Sequence, residues 1–268
     1  NLPLGVTRTG ELSMWKGCAT ASATRAGVFS ALLAEQGMTG PDEPFEGRRG
    51  LWEQATCGPV TLAAFGGRDE PFRILDTIFK SYPSQIHTQG PIGLSLELSP
   101  QVSAGDIDSI MIRAYKGAVS TPATEPEKWD PKTRETADHS IPYLVAAALQ
   151  DGEISPTTFT TQRIQDPALR TIINKMTIQE DTDFTEKYPN EYNCRIEITS
   201  KTGQLLTAHT SFPKGNRFNP LSDSEVEAKF RGLASTELGQ SSYDRTLELA
   251  WSLDTLPNLD ALLDSLVV

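Results

Sequence analysis

No apolar run in the 268 residues approaches the ~18 needed for a membrane-spanning helix, and mean hydropathy is −0.33, so the chain reads as soluble and globular. Cysteine is nearly absent. Cys18, Cys57 and Cys194 are an odd number at wide spacing with no Cys-x-x-Cys pair, which reads as reduced thiols in a cytosol-like compartment. Histidine is equally scarce: His87, His139 and His209 include no pair four residues apart on one helical face, so no zinc or iron site is expected. Positive charge is in deficit. Against 35 Asp and Glu stand 24 Lys and Arg, a formal −11 that repels phosphate backbones and argues against nucleic-acid binding as the main role. No GxGxxG follows a strand, and neither GxxxxGK[ST] nor GxSxG occurs, so nucleotide-binding and serine-hydrolase readings lose their usual support. Repeats and low-complexity tracts are missing too. The start, Asn1-Leu2-Pro3, lacks Met, and the stretch through Val6 lacks the charged flank and apolar core of a signal peptide, so it reads as internal to a longer chain.

The length suits one large or two modest domains. Residues 13–36, alanine-rich with a glycine stop at Gly37, predict a buried helix whose small residues permit close helix packing. A Pro/Gly-rich connection follows, with a helical turn at 51–56. FRILDTIFKSYP predicts a strand entering a turn at Pro83, residues 86–98 a helix or loop, and DIDSIMIRAY a strand. TPATEPEKWDPKTRETAD reads as a long polar loop, and HSIPYLVAAALQ as a helix ended by Asp151-Gly152. Residues 164–176 predict a short helix, and CRIEITSKTGQLLTAHTSF a hairpin turning at Thr202-Gly203. From Ser222 onward the periodicity predicts three amphipathic helices. The order is helix, mixed α+β block, helix, as when a β-containing module is inserted into a helical domain.

Three stretches carry candidate chemistry, each with a plain structural alternative. Lys16 opens an apolar helix, or only snorkels at its end. KSYPSQIHTQ gathers Lys80, Tyr82 and His87 around a proline turn, or is a turn with incidental polar residues. In ADHSIPYLVAAA, Asp138 and His139 stand at a helix N-terminus with Tyr143 four residues on, or form a cap over a core tyrosine. His209 reads as a hairpin side chain, and Lys132 and Arg134 as solvated loop charges.

Taken in order, WKGCATASATRAGVFSALLAEQGMTGPDEPFEG, KSYPSQIHTQ, STPATEPEKWDPKTRETADHSIPYLVAAALQDG and FPKGNRFNPLSDSEVEAKF resemble the signature segments of the MmgE/PrpD family, which includes 2-methylcitrate dehydratase, cis-aconitate decarboxylase and iminodisuccinate epimerase. The resemblance is to the later part of such proteins. It implies an α+β fold, a mostly helical domain with an inserted α+β lid. Residues 1–71 would end the helical domain, 72–212 form the lid, and 213–268 supply the returning helices.

The resemblance also implies roles. Lys16 falls where the family places a lysine facing a substrate carboxylate, and Lys80 and His87 match the lid motif of the methylcitrate dehydratases. Where the decarboxylase branch has a histidine two residues after the proline, this chain has Gln85. His139 and Tyr143 match the histidine and tyrosine that begin the lid helix. The family's aspartate and histidines of the N-terminal helical block have no counterpart here. The implied reaction is hydro-lyase chemistry: water is eliminated from a tricarboxylic hydroxy acid, as in the methylcitrate cycle of propionate catabolism. Lys16 and Lys80 would hold carboxylates, His87 and His139 would move protons, and Tyr143 would donate or orient. No metal and no organic cofactor are implied. The implied partners are a small-molecule carboxylate and a second copy in a homodimer, with an N-terminal segment or chain to complete the site, but no nucleic acid and no membrane. The implied location is cytoplasmic, or the mitochondrial matrix in a eukaryote. The alternatives are a non-catalytic or partial chain, or a family member acting as decarboxylase or epimerase.

Overall fold

The computed structural model describes residues 5–56, 58–62, 66–67, 70–234 and 237–267, so Cys57 lies outside the described residues. It divides into two units, Asn1–Arg8 with Ser13–Thr77, and Thr9–Leu12 with Ile78–Val268.

In the first unit the alanine-rich stretch forms helix α1 (Trp15–Glu35), and Gly37 at φ +87° turns the chain out of it. The expectation that this helix is buried is corrected. Ala19 alone is buried along it, while Val28, Phe29 and Leu32 are exposed. Its alanines set helix propensity, but its apolar residues form no single stripe to dock. A π-type turn at Trp52–Thr56 follows, with the Phe45 and Trp52 rings 5.4 Å apart. The predicted strand at 72–83 does not form either. Arg73–Asp76 is a 3₁₀ turn with Phe72, Ile74 and Leu75 exposed. Alternation is only half of what a strand requires, since its backbone also needs a paired neighbour.

The second unit is built on a four-stranded sheet of order β2-β1-β3-β4, from β1 (Ile107–Ala114), β2 (Met176–Glu180), β3 (Cys194–Ser200) and β4 (Leu205–Thr210). β1 runs parallel to β2 and antiparallel to β3, and the β3–β4 hairpin turns through Gly203 at φ +85°. Alternate residues Ile110, Ile112, Ile196 and Ile198 enter the core. Two helices close that core, α2 (Gln89–Leu98) and α3 (Ile141–Asp151), the latter buried from Ile141 to Leu149 and ended by left-handed Gly152. Residues 164–176 carry the expected short helix. A short helix ends at Ile164, α4 (Pro167–Ile173) follows, and Met176 opens β2.

The expected polar loop is more ordered than its composition suggests. It holds short helices at Pro126–Trp129 and Arg134–Ala137 and a fully buried Lys128. Lys128 Nζ donates to the Gly10 carbonyl at 2.7 Å and pairs with Glu125 at 3.2 Å. The Leu12 amide donates to Thr136 Oγ1 at 2.9 Å. Glu125, Lys128, Thr133 and Thr136 of this stretch therefore hold Gly10 and Leu12. The tail forms α5 (Asp223–Ala234), α6 (Gln240–Trp251) and α7 (Asp260–Ser265), as the periodicity predicts.

Candidate functional site

The segment from Phe79 to Gln89 is irregular, yet nearly every polar group in it is engaged. The Phe79 amide donates to the Gly215 carbonyl at 2.9 Å, and Ser81 Oγ donates to the Lys214 carbonyl. Position 215 sits at φ +89°, and a Cβ there would lie 1.8 Å from the Phe79 carbonyl, so only glycine fits. Gln89 spans the turn, accepting from the Tyr82 amide at 3.0 Å and donating to the Tyr82 carbonyl and Ser84 Oγ. Lys80 Nζ donates to the Ser84 carbonyl at 2.8 Å. The Gln85 side chain accepts from the His87 amide, and the Gln85 amide donates to the Asp138 carbonyl at 2.9 Å. That last bond ties the turn bearing His87 to the residues bearing His139.

His87 is largely buried under three tyrosines. Tyr115 Oη lies 2.5 Å from His87 Nδ1, and its ring stands edge-on at 5.4 Å between centroids. Tyr188 stacks on Tyr115 at 4.5 Å, and Tyr192 meets both rings edge-on. Burial, reinforced by the nearby His139, pulls the His87 pKa down to about 4, so this imidazole is neutral at pH 7. Burial also raises the Tyr115 phenol, helped by Tyr188, Tyr192 and Cys194, so that hydroxyl keeps its proton.

His139 is oriented by its neighbour, since Nδ1 hydrogen-bonds the Asp138 carboxylate and both side chains are largely sheltered. A carboxylate accepts, so Nδ1 carries the proton and Nε2 is the basic nitrogen. Asp138 is therefore not the helix cap. Ser140 caps α3, its Oγ accepting from the Tyr143 amide at 3.0 Å. His139 precedes the helix, so the expected shared face with Tyr143 does not exist. Tyr143 is fully buried, its hydroxyl donating to the Thr158 carbonyl at 2.5 Å, and burial pushes its pKa up to about 12. It is a core tyrosine pointing at Thr158 rather than at the histidines.

Lys80 lines a separate cleft of about 430 Å³ with Tyr82, Ile154, Glu225 and Lys229, and no residue of that lining also lines the recess around His87. Lys229 Nζ donates to the Lys80 carbonyl at 2.6 Å. Burial, with the Lys80 charge beside it, lowers the Lys229 pKa. Glu225 is held down to about 2 by the Ser222 amide, the Lys214 ammonium at 2.9 Å and the Ser222 hydroxyl. Lys16 is half-buried in the first unit, as the second residue of α1.

His209 is exposed on β4 beside Phe184, as expected of a hairpin side chain, and Lys132 and Arg134 are exposed. Cys18 and Cys194 are free thiols. Among the described residues no three His, Cys, Asp or Glu side chains gather to hold a metal ion, and no helix is long and apolar enough to cross a membrane. The sequence reading missed Tyr115, Tyr188, Tyr192 and Lys229. Tyr115 follows β1 with no local spacing signal, and Lys229 lies in SDSEVEAKF, where it reads as one polar position of an amphipathic helix.

Comparison with known proteins places the chain. The MmgE/PrpD C-terminal domain matches residues 82–255 and the MmgE/PrpD N-terminal domain residues 1–62. The cis-aconitate decarboxylase of Homo sapiens is 24% identical over 250 residues, covering 90% of this chain and 50% of that protein. The mitochondrial 2-methylcitrate dehydratase of Yarrowia lipolytica is 27% identical over 220 residues, covering 75% and 40%. The 2-methylcitrate dehydratase of Salmonella typhimurium is 25% identical over 217 residues, covering 78% and 42%. The chain spans half or less of the length of these relatives.

Proposed function

Because the chain belongs to the MmgE/PrpD family, we propose that it acts as a lyase on a polycarboxylic hydroxy acid, eliminating water by acid–base chemistry of its own side chains. The observation that supports this most directly is the pair of histidines joined by one turn. One is oriented by a carboxylate, and the other is kept neutral by burial. Removing a proton α to a carboxylate and expelling hydroxide calls for a base and an acid on either side of the substrate. His139 Nε2, backed by Asp138, takes the carbon-bound proton, and the electron pair moves into the new double bond. The C–O bond then breaks as His87 hands its proton to the departing hydroxyl, which leaves as water.

His87 with a pKa near 4 is neutral in the resting site but becomes a strong acid once charged. A polyanionic substrate beside it stabilises the imidazolium and loads that proton only when substrate is bound. The sequence resemblance gives Lys80 and Lys16 the role of carboxylate holders, and Lys80 does so from the cleft it lines, as a grip on a carboxylate away from the reacting carbon. Among family reactions, dehydration is favoured by Gln85, whose side chain and backbone brace His87 and Asp138. The proposal includes a homodimer in the cytoplasm or mitochondrial matrix, and 2-methylcitrate as substrate.

Turnover tests it. The protein is assayed at 240 nm with 2-methylcitrate, citrate, cis-aconitate and iminodisuccinate, as wild type and as His87→Ala and His139→Ala. Each variant is expected to lose about 100-fold or more. Turnover within twofold of wild type in both variants, or no turnover of any of the four acids, overturns the reading.

A further inference from the structure

We propose that Lys80 and Lys229 form a two-lysine subsite that grips one carboxylate of a small polycarboxylate, with α5 as one wall. The inference rests on the reading of Lys80 as a carboxylate holder and adds to it a second cation from the returning helices. The two lysines line one cleft, and burial together with the Lys80 charge disfavours the charged form of Lys229, a cost that an anion bound between them relieves. Each ammonium has three donors. Lys80 directs one to the Ser84 carbonyl and Lys229 one to the Lys80 carbonyl, both neutral acceptors, which leaves two donors on each for a ligand.

The carboxylate in the lining, Glu225, is held by Lys214 and Ser222 and does not neutralise the pair. At about 430 Å³ the cleft falls within the range of small-molecule sites. Pro83, Ile154, Pro156 and Leu233 give the rest of the lining, beside Ser81, Tyr82 and Ser155, an apolar part that suits a carbon skeleton. An acid with an alkyl backbone matches both features, whereas inorganic phosphate matches only the lysines. Helix α5 thereby contributes a specificity-determining residue, and the Lys229 bond to the Lys80 carbonyl couples ligand capture to the turn that carries His87.

The probe is tricarballylate, a tricarboxylate with no hydroxyl to eliminate, titrated calorimetrically into the full chain. Binding is expected to weaken about tenfold or more in Lys229→Gln, which keeps a donor for the Lys80 carbonyl but removes the charge. Lys229→Arg is expected to bind within about threefold of wild type, because the charge and donors remain. Addition of tricarballylate to wild type should also shift the Lys229 side-chain 13Cε resonance, a readout that does not depend on how any variant folds. Unchanged affinity in a folded Lys229→Gln, no shift at Lys229, no binding to wild type, or phosphate binding as tightly as tricarballylate would each overturn the subsite. Failure of the catalytic reading looks different. Turnover would be absent while binding still followed the charge at position 229, whereas turnover with binding indifferent to Lys229 sinks only the subsite.

Discussion

Tyr115 sets the state of His87: its hydroxyl stands 2.5 Å from Nδ1 while its ring meets the imidazole edge-on at 69°. A buried imidazole held at one nitrogen has its tautomer chosen for it, and the nitrogen left to meet substrate is Nε2.

Tyr115→Phe keeps the ring packing and deletes only that bond. The expected cost is about 1 kcal/mol of stability, and the 15N shifts of His87 should move from one tautomer toward a mixture. Turnover should fall more than stability alone explains. An unchanged 15N pattern would remove Tyr115 from any positioning role.

The buried histidine makes stability depend on pH. His87 titrates near 4 in the fold but near 6.5 when unfolded, so between those values the unfolded chain binds the extra proton. The His87 contribution is therefore intact above pH 6.5, declines as pH falls from about 6.5 to 4, and levels off below. Urea midpoints at pH 7 and pH 5 should differ by less in His87→Gln than in wild type. Equal differences would show that His87 is not titrating in this window.

Tyr143→Phe tests the core placement of a residue that the family resemblance puts among the catalytic groups. Loss of its hydroxyl leaves the buried Thr158 carbonyl without that donor, at an expected cost of about 1–2 kcal/mol. Turnover by the folded variant should change by less than threefold. A collapse in kcat with an unaltered melting temperature would return Tyr143 to the chemistry.

Gly215→Ala strikes the clasp between Phe79 and Gly215. The φ of +89° and the Cβ contact with the Phe79 carbonyl predict a loss of at least about 1 kcal/mol. Hydrogen exchange at the Phe79 amide should also speed up. Wild-type melting and exchange would mean that the clasp does not hold the 79–89 segment.

Much of the second unit was legible because its signals are local. The Ile alternation of β1 and β3 and the Gly203 turn fixed a hairpin and its neighbour, and Ala-rich α3 ended where Asp151-Gly152 said it would. Signals that depended on a distant neighbour failed. Met176–Glu180 became a strand because β1 offers it a parallel edge, and residues 72–83 found no such edge. Lys128 lies in the stretch read as a polar loop, yet it is fully buried, with Gly10 and Glu125 as its partners.

The candidate site divides in the same way. The sequence by itself determined which side chains are available: scarce histidines, Lys80 close to one of them in KSYPSQIHTQ, and the turn chemistry that places Gln85 and Ser140. Only the tertiary structure decided that His87 lies under Tyr115, that His139 pairs with Asp138 ahead of the helix, that Tyr143 turns to Thr158, and that Lys80 and Lys229 line a different cleft. The reason is physical: propensity and capping act over a few residues, whereas burial, tautomer and charge pairing depend on groups that meet only once the chain has folded.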